Sequence, residues 1–72
     1  MSEVLDTRGL KCPLPALKAE KRLEGLVKGA RLTVLASDPM AKVDIPFMCR
    51  RRGFRVIAET EAAGELRFEI EA

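Results

Sequence analysis

The chain has 72 residues, 47 % of them hydrophobic and 33 % charged, and its 13 basic and 11 acidic side chains leave a net charge of +2. That length predicts one small domain, residues 1–72, burying only about 60 % of its unfolded surface. No apolar run approaches the about 20 residues that span a bilayer, and Met1 to Leu10 lack a basic-then-apolar leader, so a cytoplasmic protein is expected. The absence of histidine excludes Ser-His, Cys-His and His-metal sites. Two cysteines cannot close a zinc site, and three phenylalanines with so small a net charge supply little for nucleic acid, so neither metal nor cofactor is expected.

Taken in chain order, Ser2 to Asp6 reads as a short strand with Val4 and Leu5 as its apolar content, and Thr7 to Lys11 as a loop. A helix is predicted from Pro13 to Glu24 or Leu26. Ala16, Ala19, Leu23, Leu26 and Val27 share one face at three- and four-residue spacing, opposite Lys18, Lys21 and Arg22. Arg31 to Ala36 is rich in strand formers. Ser37-Asp38-Pro39 then opens a shorter second helix through Arg52, with its regular part from about Asp44, Pro46 in the first turn and Gly53 as terminator. The remainder reads as a hairpin, because Leu66, Phe68 and Ile70 alternate with Glu65, Arg67, Glu69 and Glu71. The order β-α-β-α-β-β predicts an α+β two-layer sandwich with both helices on one sheet face.

The chemistry concentrates at Gly9-Leu10-Lys11-Cys12-Pro13-Leu14-Pro15. Pro13 suits a first helical position, which makes Cys12 the predicted N-cap, its sulfur facing free backbone N–H groups and the positive end of the helix dipole. Such a site favours thiolate, and Arg8 and Lys11 add positive charge nearby. Pro13 and Pro15 stiffen the turn that presents the sulfur, and Pro15 stands where a Cys-x-x-Cys dithiol would need its second cysteine. The alternative is that Cys12 merely fills a loop-to-helix corner.

Leu-Asp-Thr-Arg-Gly-Leu-Lys-Cys-Pro-Leu-Pro (residues 5–15), Asp38-Pro39 and Asp44-Ile45-Pro46 through Cys49 and Gly53 together resemble the TusA/SirA family of sulfur carrier proteins, in register over essentially the whole chain. The resemblance implies a mixed four-stranded sheet in order 1-2-4-3 with strand four antiparallel to the others. It also implies that Cys12 carries a sulfane sulfur as a persulfide. The sulfur would come from a donor such as a cysteine desulfurase or a rhodanese and pass to an acceptor protein, in transfer-RNA thiolation, molybdenum-cofactor assembly or sulfur oxidation. Two departures stand out: Phe54 follows Gly53 where the family commonly has histidine, and Met48 precedes Cys49 where an aromatic is usual, with Phe47 one residue earlier.

Cys49 shares a helix face with Ala41, Ile45 and Met48, which makes it a core residue or, alternatively, a resolving thiol for Cys12. Asp38 and Asp44 are candidates for capping the second helix or for contacting the sulfur donor. Val43 and Phe47 are either buried or an exposed patch beside Arg50 and Arg51, fit to dock a partner. Arg50-Arg51-Arg52 reads as a solvated helix end complementing the dipole. The candidate partner surface is therefore Arg8, Lys11, Pro13, Pro15, Asp38, Asp44, Phe47 and Arg50 around Cys12, on a monomer without membrane or direct nucleic-acid contact. The competing function is a regulatory or nucleic-acid-associated adaptor in which Cys12 is a redox sensor or structural.

Overall fold

Two apolar stripes, one on β2 and one on β4, organise the molecule. The computed structural model describes residues 2–72. In chain order these form β1 (Ser2–Asp6), α1 (Leu14–Glu24), β2 (Arg31–Ala36), α2 (Ala41–Arg52), β3 (Arg55–Ala62) and β4 (Glu65–Glu71). The sheet runs β1-β2-β4-β3, with β1 parallel to β2 and β4 antiparallel to both β2 and β3. This is the α+β sandwich and the strand order that the sequence and the resemblance imply.

β2 lies between β1 and β4, so its hydrogen bonds are satisfied on both sides, and Leu32, Thr33 and Val34 are all buried. In β4 the alternation holds: Leu66, Phe68 and Ile70 face inward. They oppose Ala36, Val34 and Leu32 across the ladder, which makes one continuous apolar surface. Against it pack Ala16, Ala19 and Leu23 of α1 and Ala41, Ile45, Met48 and Cys49 of α2. The alanines let both helix backbones approach the sheet closely. β3 is the outer strand and mostly exposed, and its Glu59 and Glu61 discourage pairing with another chain. Its turn into β4 uses Ala63 and Gly64, both at positive φ (52° and 80°), the conformation that a tight hairpin requires.

The helix boundaries depart from the sequence expectation. α1 stops at Glu24, so Val27 falls off the helical period and is 78 % exposed, while Leu26 still packs against the core edge. α2 begins at Ala41 instead of Asp44. Its entry is a tight turn in which the Ala41 and Lys42 N–H groups donate to the Asp38 and Pro39 carbonyls (2.9 and 3.1 Å), and Pro46 consequently lies inside the helix. The helix tolerates it because only one amide beyond the four free N-terminal ones is lost. Gly53 closes α2 in the left-handed conformation at φ 81°, as expected.

The arginine run is the exposed basic helix end that the sequence predicts, with contacts added. Arg51 and Arg52 reach across to Glu20 of α1, and Arg52 also to Glu24 (2.7 Å), so they tie the two helices together at the surface. Arg50 stays exposed, and the Arg52 guanidinium lies 5.6 Å from the centre of the Phe54 ring.

Phe68 is fully buried where the two helices meet the sheet. Phe68→Ala should cost about 3–5 kcal/mol, most of the stability available to so small a chain, and should be read as a collapse of the denaturant midpoint.

Candidate functional site

Parallel pairing of β1 with β2 brings the loops after these strands to the same end of the sheet. Thr7, directly after β1, is fully buried there; both its N–H (2.8 Å) and its hydroxyl (2.5 Å) donate to the Leu35 carbonyl. The Gly9 N–H donates to Ser37 Oγ (2.9 Å). Asp38 completes the junction: one carboxylate oxygen accepts the Cys12 N–H (2.6 Å) and the other the Met40 N–H (3.0 Å). The residue before the proline turn is thereby fixed to the residue before α2. Asp38 is not the cap of α2, whose cap position is Met40; it holds the entry to α2 and the cysteine loop together.

Cys12 is exposed, at the tip of this junction. It is not the helix cap. Pro13 occupies that position, the cap makes no side-chain hydrogen bond, and α1 begins at Leu14. The Cys12 sulfur instead donates a hydrogen bond to Oδ2 of Asp44, in the first turn of α2. This reverses the expected electrostatics. The Asp44 hydrogen bond, then desolvation and the negative charges of Asp44 and Asp38 push the Cys12 pKa above the ordinary thiol value, so the group rests as a thiol. The two cations expected to oppose this act elsewhere. Arg8 is held by Asp6 (2.8 Å) and Glu65 (3.0 Å), and the hydrogen bonds that its side chain and backbone N–H donate draw the Asp6 carboxyl down to about 2. Lys11 helps lower Asp38, after the hydrogen bonds that Asp38 accepts from Cys12 and Met40.

The remaining expected residues divide clearly. Pro13 is exposed beside Cys12, whereas Pro15 is buried in the first turn of α1 and packs into the core, which removes it from any partner surface. Val43 (60 %) and Phe47 (58 %) are exposed, one helical turn apart, so the patch reading holds for them. Leu14, Leu17 and Met40 add exposed apolar surface on α1 and at the entry to α2. Cys49 is buried at 1 % exposure, and burial pushes its thiol up to about 11. Thr7 and Ser37 lock the loops: the sequence pattern reads Thr7 only as loop and Ser37 only as part of the opening of the second helix, and the signal for their shared role is their position immediately after each strand. Among the described residues there is no cluster of metal-ligating side chains and no helix long and apolar enough to cross a membrane.

The two-layer sandwich with this strand order is the fold of a SirA-like protein. The crystal structure of the SirA-like protein from Desulfitobacterium hafniense superposes with a TM-score of 0.84, at 25 % identity over 97 % of this chain and 96 % of that one. The sequence family described as Sulfurtransferase TusA matches residues 3–72, and the chain belongs to this family. A Neisseria meningitidis serogroup A protein, provisionally named as a sulfur carrier, is 46 % identical over 63 residues, 88 % of this chain and 85 % of that one. Sulfur carrier protein TusA of Pseudomonas putida is 36 % identical over 67 residues, 93 % of this chain and 84 % of its own length.

The two thiols should separate on alkylation of the folded protein. Cys12 reacts first, with a rate that climbs with pH through an apparent pKa above the ordinary thiol value, and Cys49 stays protected until conditions approach pH 11 or unfolding. Peptide mapping after a pH series measures both, and preferential labelling of Cys49 would contradict the placement.

Proposed function

We propose that this member of a sulfur-carrier family accepts a sulfane sulfur on Cys12 and relays it, as a persulfide, from a donor protein to an acceptor protein. The observation that carries the reading is the contrast between its two thiols: Cys12 exposed on an anchored loop, Cys49 buried in the core. In the loading step Cys12 loses its proton to solvent and its thiolate attacks the terminal sulfur of a donor persulfide. The new bond joins Cys12 Sγ to that sulfur, and the donor's own S–S bond breaks. The bonding pair leaves with the donor cysteine, which takes up a proton, so no oxidant is consumed. Unloading is the same exchange with an acceptor thiolate as the attacking group.

The chain supplies the thiol and its fixed presentation. A cysteine desulfurase or rhodanese supplies the sulfur, and exposed Lys11, Pro13, Phe47 and Arg50 with half-buried Asp38 and Asp44 offer docking contacts around it. The protein works as a sulfurtransferase-type carrier without cofactor, as a cytoplasmic single-domain monomer, serving transfer-RNA thiolation, molybdenum-cofactor assembly or sulfur oxidation. An adaptor acting through its arginine run is less well supported, since Arg51 and Arg52 are already paired with Glu20 and Glu24.

Incubation with a cysteine desulfurase and cysteine, or with a rhodanese and thiosulfate, should add the mass of one sulfur, about 32 Da, removable by reductant. Intact-mass spectrometry should find the adduct kept in Cys49→Ser and absent in Cys12→Ser. If no donor ever produces it, the adaptor reading takes precedence.

A further inference from the structure

The hydrogen bond between Cys12 and Asp44 exists only while the sulfur carries a proton. Its geometry is built from distant parts of the chain. Asp38 holds the Cys12 backbone (2.6 Å), the first turn of α2 holds Asp44, and the two side chains meet at the tip of the loop. The charged groups that bear on the sulfur are Asp44 from α2 and Asp38 from the loop before it; Lys11, next in the chain, acts on Asp38, and Arg8 is occupied by Asp6 and Glu65. α1 contributes no cap hydrogen bond that competes for the sulfur.

We propose that Asp44 is a positioning residue acting through Cys12: it latches the empty carrier as a hydrogen-bonded thiol turned onto α2, and loading necessarily opens the latch. The inference rests on Cys12 as the sulfur-bearing group. In a persulfide the inner sulfur is bonded to carbon and to the outer sulfur and has no hydrogen to donate. The outer sulfur lies a further about 2 Å away, the length of an S–S bond, and in its anionic form is repelled by the Asp44 carboxylate. Empty and loaded carriers therefore present different surfaces at one carboxylate. The empty form keeps a guarded, weakly nucleophilic thiol, and the loaded form turns its sulfur away from α2.

The test is the pH profile of Cys12 alkylation by iodoacetamide in the full chain, for the native protein, Asp44→Asn and Asp44→Glu. Asp44→Asn removes the negative charge and offers an amide donor to the thiolate. Its profile should move to lower pH, with a rate at pH 7 raised at least severalfold, while Asp44→Glu, which keeps a carboxylate, should stay close to the native profile. An Asp44→Asn profile that superimposes on the native one, or an Asp44→Glu profile that copies Asp44→Asn, overturns the proposal. A second readout needs no change at Asp44: the S–H stretch of Cys12 in the Raman spectrum, isolated by subtracting Cys12→Ser, should be lowered by hydrogen bonding, and a free-thiol frequency overturns the proposal as well. Neither measurement uses a sulfur donor, so a failure here is distinct from a failure of the loading assay.

Discussion

The parallel pairing of β1 with β2 is the constraint on which the site depends. It forces both strands to end at the same edge of the sheet, so the loop that enters α1 and the loop that enters α2 emerge side by side. An antiparallel pair would have sent them to opposite ends. Thr7 closes the junction on the strand side, and Asp38 closes it on the helix side by accepting from both loops. Cys12 and Asp44 then meet although neither is near the other in sequence. The core serves the same arrangement. The alanines of α1 and α2 let both helices lie close to β2 and β4, and the Arg51 and Arg52 pairs with Glu20 and Glu24 hold the helices together at the end where α2 terminates.

The electrostatics of the loop suit a carrier more than an enzyme with its own base. The chain has no histidine, the Cys12 proton is shared with the Asp44 carboxylate, and the charges of Asp44 and Asp38 oppose the thiolate. A permanently activated thiolate on an exposed loop would be open to oxidation and to exchange with any disulfide. A thiol held by a carboxylate is quieter. Exposed Val43 and Phe47 lie on the same helix as Asp44, which places apolar contact surface and the carboxylate on one element.

Much of the fold was legible because it is written in local periods. The alternation of Leu66, Phe68 and Ile70 located β4 and its buried face, and the helical spacing of Ile45, Met48 and Cys49 placed Cys49 in the core. What local pattern could not supply were the effects of contacts distant in sequence. Cys12-Pro13 resembles a cap followed by a first helical residue, but the Asp38 tether holds the chain so that the helix starts one residue later and the sulfur turns to α2. Pro46 resembles a first-turn proline, yet the tight turn at Asp38 and Pro39 starts α2 earlier. Pro15 looked like part of the presented motif, while its position on α1 directs it into the core beside Ala16 and Ala19. The strand order came from the resemblance, since no periodicity in a hairpin says that β4 inserts between β2 and β3.

The central claim is that one atom, the Cys12 sulfur, bears the cargo. Cyanolysis tests it most directly, because cyanide removes sulfane sulfur as thiocyanate and leaves ordinary thiols untouched. After loading by a donor and removal of that donor, the account predicts thiocyanate release of about one equivalent per chain, lost on prior alkylation of Cys12 under conditions that leave Cys49 unmodified. Undiminished release from protein blocked at Cys12 would place the sulfur elsewhere and contradict the account.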